Sequence, residues 1–199
     1  MENSALTLNS ATIKNYLQAN HFSVQWEKNM IAEILEAIES NNTEKLAWFK
    51  GFGKDIRHIL MNVHAYRKGL EFGFTEIAFD KNDWFCRSEF LEKEDIKLGD
   101  SERYGEYSNI YLGRGINHIW TYALNYSYGM AGGGYGLSIY GKQFRCRQDA
   151  LIYALDEIKK MMTARIGDKD TTNVKQPVIM ATLRAISQVQ VSMVQLTLF

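Results

Sequence analysis

One proline in 199 residues leaves little to punctuate the chain, which argues against long structureless linkers. Cysteine is equally scarce. Cys86 and Cys146 lie far apart and in neither metal-ligand nor redox spacing, so both are expected as reduced thiols of a cytoplasmic protein. Net charge is missing too: 23 basic and 23 acidic residues cancel, so no global field draws the chain to nucleic acid or to a membrane. No apolar run approaches the roughly 18 residues of a membrane span, and no cleavable signal peptide opens the sequence. Catalytic signatures are lacking as well, with no G-x-S-x-G, H-E-x-x-H, C-x-x-C or EF-hand loop. The run Gly129-Met130-Ala131-Gly132-Gly133-Gly134 lacks the Lys-Ser/Thr ending of a phosphate-binding loop, and suits a flexible hairpin connection or a close approach to a partner's backbone. His58 and His64 are six residues apart, the wrong step for paired ligands on one helix face. The acidic run Glu89, Glu92, Glu94 and Asp95 reads as a solvated segment rather than a metal site. No catalytic residue, metal or cofactor is assigned, and the chain leans toward a non-enzymatic role.

What is present is material for a core. The apolar share is 46% and the aromatic share 13%, values of a folded soluble chain rather than a disordered one. Asn9 or Ser10 can cap a first short helix. Trp26, Met30, Ile31, Ile34, Leu35 and Ile38 then fall on one face at helical spacing, ending near Asn41-Asn42. From a cap at Thr43, the stripe Leu46, Phe49, Phe52, Ile56, Ile59, Leu60 and Val63 predicts one continuous helix, with Gly51 and Gly53 inside it at a cost of about 1 kcal/mol each. After Gly69 the period changes. Phe72, Phe74, Ile77 and Phe79 read as a strand, and Trp84-Phe85-Cys86 as a second one after a turn at residues 80–83. Residues 118–128 alternate with a period of two, a further strand is expected through Leu137, Ile139 and Tyr140 to Phe144, and a helix follows from Ala150 to Met162. Pro177 suits the first position of a short last helix carrying Ile179, Leu183 and Ile186. The expected fold class is α+β: a helical N-terminal part (1–68), a sheet-plus-helix part (69–165) continuous with it, and a C-terminal helix and tail (166–199).

Charge is unevenly spread. Residues 1–101 hold 12 basic and 16 acidic residues, and residues 102–199 hold 11 and 7. In the positive half, Trp120, Tyr122 and Tyr126 share one side of a strand. Open to solvent, that side would stack on unpaired bases, with Arg114, Lys142, Arg145 and Arg147 near phosphates. Covered by the following helix, it is core, and the core reading is favoured.

The last five residues, Gln195-Leu196-Thr197-Leu198-Phe199, read QLTLF. Over these positions the chain resembles the peptide by which many bacterial replication and repair proteins dock on the DNA polymerase III sliding clamp, a Gln-Leu-x-Leu-Phe pattern. The resemblance implies that Gln195 hydrogen-bonds the rim of a cleft, Leu196 makes a shallow contact, Thr197 faces out, and Leu198 with Phe199 fills a deep apolar subsite. It implies a bacterial, phage or mobile-element protein, with the clamp and, as a second contact, DNA as partners. Two alternatives stand beside it. Val189, Val191 and Met193 alternate with polar residues, so the same stretch reads as an ordinary β-strand of a protein-interaction domain. A DNA-processing enzyme carrying a docking tail is the other, with Glu76 or Asp80 serving a metal.

Overall fold

The computed structural model describes residues 8–19, 24–86, 89–103 and 105–196, with the backbone alone for Val194 and Leu196. It is an α+β fold whose chain divides into two compact units, Met1–Ser88 and Glu89–Phe199.

In the first unit Asn9 caps α1 (Ser10–Ala19), its side-chain oxygen accepting the Thr12 N–H at 2.9 Å. Helix α2 (Gln25–Glu39) buries Met30, Ile31 and Ile34 from the expected stripe, and the chain leaves it through Asn41 in the left-handed region (φ 51°). Asn42, one residue ahead of the expected Thr43, caps α3 (Thr43–Lys50) by accepting the Lys45 N–H at 2.9 Å. The single helix predicted from Leu46 to Val63 is in fact two. Gly51 closes α3, and Asp55 takes extended backbone (φ −144°, ψ 168°) to cap α4 (Ile56–Leu70) through the His58 N–H at 2.9 Å. A Cβ on Gly53 would stand 2.5 Å from the His58 Cβ, so this turn closes only over a hydrogen atom. The apolar stripe continues across the break because both helices face one core, built from Ile34, Phe49, Ile59, Leu60 and Val63 among others.

Residues 69–88 belong to this helical unit, not to the sheet as expected. Phe72 and Phe74 are buried, but their N–H groups both return to the Gly69 carbonyl (2.9 and 3.0 Å), and Gly73 has φ 81°. That is a helix end, not a strand. Phe79 does pair with Phe85 around the predicted turn, closed by Asp80 N–H to Trp84 O and Cys86 N–H to Ala78 O, both 2.8 Å. Asn62 ties this hairpin to the helices. Its Nδ2 donates to the carbonyls of Phe52 (2.7 Å) and Asp83 (2.8 Å), and its Oδ1 accepts the Phe85 N–H at 3.0 Å.

Glu33 receives Arg67 in a two-point contact at 2.8 and 2.9 Å, with the Lys45 ammonium at 3.3 Å. The Arg67 hydrogen bonds, against the opposing effect of partial burial, hold the Glu33 carboxyl below the usual carboxylate range. With the folded value depressed, its stabilising effect is complete above the unfolded pKa and is lost as pH falls through the folded one. The expected outcome is that Glu33→Gln lowers stability at neutral pH and flattens its decline in acid. Urea midpoints of the two proteins from pH 7 downward, converging as the medium becomes acidic, are the check.

The second unit is an antiparallel sheet, β1 (Glu92–Gly99), β2 (Tyr107–Arg114), β3 (Trp120–Ser127) and β4 (Gly132–Gly134), in that order, with α5 (Arg147–Thr163) and α6 (Gln176–Leu196). The register sets Ile96 beside Ile110 beside Leu124, and Leu112 beside Tyr122. Those residues form one core with Leu151, Leu155, Ile158 and Met162 of α5 and Ile179 and Ile186 of α6. The acidic run is solvated as expected at Glu89, Glu92 and Asp95, and from Glu92 onward it forms the edge strand β1. Exposed Lys93, Asp95 and Lys97 alternate there with Glu94, Ile96 and Leu98, and charges on an edge oppose strand-to-strand aggregation. The strand expected through Leu137 to Phe144 does not form: the strand paired with β3 is β4, inside the glycine run, and Phe144 makes one bridge to Trp120. Cβ atoms on Gly132 and Gly134 would stand 2.4 and 2.5 Å from β3 carbonyl oxygens, so glycine alone allows this approach.

The last helix is long, not short, and it removes the strand alternative for residues 189–196. Val189 and Met193, four apart, pack on the core, whereas Val191 between them is 57% exposed. A strand would have put all three on one side.

Candidate interaction sites

Helix α6 carries the first two residues of the QLTLF peptide. Gln195 is exposed in its final turn and Leu196 is its last residue; Leu198 and Phe199 lie outside the described residues. The last turn holds no basic side chain to complement the helix dipole.

The seven residues expected at nucleic acid separate into three groups. Trp120 and Tyr122 are buried and Tyr126 half-buried on the side of β3 that faces the shared core, so this stripe is core and not a stacking surface. The Tyr122 hydroxyl donates to the Glu157 carboxylate; burial first, then this bond, push its pKa far up and keep the phenol protonated. Arg114 and Arg147 are each paired with a carboxylate of β1. Arg114 contacts both Glu92 and the His118 Nδ1. Arg147 grips Glu94 through Nε (2.7 and 3.0 Å) and Nη2 (2.6 Å). The hydrogen bonds from Arg147 hold the Glu94 carboxyl below its ordinary range. A guanidinium already bidentate on a carboxylate has little left for a phosphate. Lys142 and Arg145 are exposed, and among the described residues neither is in an ion pair. The Lys142 ammonium sits 3.6 Å from the ring centre of Tyr153.

Sequence reasoning missed Tyr135 and Tyr153. Tyr135 follows the glycine strand in what read as a β-strand, and Tyr153 stands on α5 outside its apolar stripe. The signal that could have found Tyr153 was a large aromatic on the polar side of an amphipathic helix.

The remaining candidates have structural employment. His58 binds Asp55 through Nδ1 (2.7 Å) and stacks on Trp84, while His64 stacks on Trp26, so the two histidines share no ligand position. Asp80 accepts the N–H groups of Asn82 and Trp84 within its own turn, and Glu76 is an exposed loop residue. Among the described residues, no group of three or more His, Cys, Asp or Glu side chains could hold a metal ion, and no helix is long and apolar enough to cross a membrane. Both cysteines are exposed free thiols. No family model, curated protein or solved structure matches the chain.

Proposed function

We propose that this protein docks on a bacterial DNA sliding clamp through Gln195, Leu196, Leu198 and Phe199. The observation that carries the reading is the QLTLF peptide, entered from a helix whose last described side chain, Gln195, is exposed. Among the described residues, Met193 is the last of α6 to pack on the core.

Leu198 and Phe199 in an apolar cleft contribute about 1.5–3 kcal/mol each. Ordering the peptide offsets part of this, leaving a dissociation constant on the order of micromolar. A second contact on DNA or on the ring would raise the effective affinity without strengthening the peptide. Calorimetric titration of purified clamp with the full-length protein is expected to give binding of that order. Leu198→Ala combined with Phe199→Ala is expected to weaken it by about 100-fold or more. Equal affinity of the two proteins for the clamp, or no binding by either, would end the reading.

A further inference from the structure

The tyrosine stripe of β3 is core, yet a different pair of rings reaches the surface beside it. Tyr135, just after β4, is 46% exposed and Tyr153, on α5, is 40% exposed. Both lean on buried Tyr122, at centroid distances of 6.3 and 5.6 Å, and Tyr153 also leans on Phe144 at 5.5 Å. Each ring is thus fixed from behind while much of its surface meets solvent. Two cations accompany them. Lys142 covers the Tyr153 ring at 3.6 Å and Arg145 is exposed on the same connection into α5. The Glu157 carboxylate accepts the Tyr122 hydroxyl. A Cβ on Gly136 would meet nothing within 4 Å.

We propose that Tyr135, Tyr153, Lys142 and Arg145 form a binding surface for single-stranded DNA. A rigid, half-exposed ring is a stacking platform for any unpaired base, and nearby cations neutralise the adjoining phosphates. Lys142 supplies both effects in turn: its flexible stem lets it leave the ring for a phosphate as a base takes its place. A duplex keeps its base faces inside the stack and has no use for the rings. The choice of DNA over RNA rests on the clamp-docking reading, because that ring encircles DNA; the surface itself does not depend on it.

The test is fluorescence anisotropy of full-length protein, without clamp, against a labelled oligo-dT of about 15 nucleotides, the matching oligo-rU, and a duplex of the same length. Oligo-dT is expected to bind with strong salt dependence, and the duplex about tenfold more weakly or less. Tyr135→Ala with Tyr153→Ala is expected to weaken oligo-dT binding by about tenfold or more, whereas Tyr135→Phe with Tyr153→Phe retains it. Lys142→Ala with Arg145→Ala is expected to flatten the slope of log affinity against log salt by about 1.4, two single-strand phosphates' worth. Absence of oligo-dT binding at low salt, equal binding of the duplex, or indifference to the paired alanine substitutions would overturn the proposal. Tighter binding of oligo-rU would overturn the assignment to DNA. Because clamp is absent, failure here and failure of the docking reading are separate results.

Discussion

Asn62→Leu is expected to destabilise the N-terminal unit by about 3–5 kcal/mol, the larger part of what holds a unit of this size folded. Asn62 is 2% exposed and satisfies three backbone groups on two connections: the Phe52 and Asp83 carbonyls and the Phe85 N–H. Leucine has similar bulk but no polar atom. All three backbone groups would lose their partner at once, and each such loss in a buried place costs about 1–3 kcal/mol. The effect exceeds that of an ordinary core truncation, because the same amide joins the α3–α4 turn to the Phe79–Phe85 hairpin. Urea denaturation followed by far-UV circular dichroism measures it. Met61→Ala, one position away and 39% exposed, is the control and should stay within about 0.5 kcal/mol of the parent. A loss below about 1 kcal/mol for Asn62→Leu would mean that water replaces the amide, and the bracing role would be wrong.

The second large effect is expected at Gly129. Gly129→Val should cost about 3 kcal/mol, and Gly129→Ala most of that, since the conflict begins at Cβ. The backbone there has φ 114°, a conformation that L side chains rarely adopt, and a Cβ would stand 2.5 Å from Lys175 Cγ and 3.0 Å from Lys175 Cβ. The closeness has a purpose in the fold. Lys175 N–H donates to Tyr128 O at 2.7 Å, and Met130 and Ala131 N–H groups donate to Asn173 O at 3.2 and 3.1 Å. These bonds fix the entry to α6, whose first N–H groups, on Val178 and Ile179, return to the Lys175 carbonyl. Displacing Lys175 therefore displaces the helix that closes the core of the second unit. Gly136→Ala is the contrasting variant: open space surrounds that position, and stability should change by less than about 0.5 kcal/mol. Denaturation midpoints of the two alanine variants decide the matter; equal midpoints would remove the argument from close approach.

Those two positions also show how far the sequence could be read. The glycine run was legible as a hairpin connection or a close approach to a partner's backbone, but the approach is to residues 173–175 of the same chain, more than 40 positions away. Asn62 gave no signal, because an asparagine inside an amphipathic helix looks like any other polar residue until its long-range partners are known. The break between α3 and α4 hid for a related reason: both helices contribute to one core, so their apolar positions line up as though the helix never stopped. Strand β1 was missed because edge strands tolerate charge, and its Glu92 and Glu94 are matched by Arg114 and Arg147 on other elements. Of the residues expected at nucleic acid, Arg114 and Arg147 are paired with carboxylates, and the β3 rings belong to the core, the reading favoured from the sequence. The period-two pattern of β3 marked the aromatic side correctly as one side, but a pattern within one strand carries no information on what covers it.

What the residues determined unaided was local. Helical and strand periods, the Asn9 cap, the turn at residues 80–83 and the QLTLF pattern all depend on neighbours within a few positions, where backbone geometry alone relates one side chain to the next. Tertiary packing decided the rest. It buried Trp120 and Tyr122, left Tyr135 and Tyr153 half-exposed, paired Arg114 and Arg147 with carboxylates and, among the described residues, left Lys142 and Arg145 outside any ion pair. It also turned an alternating C-terminal run into a helix. Burial and charge pairing are properties of surfaces that meet only after the chain has folded, so no spacing along the sequence encodes them by itself.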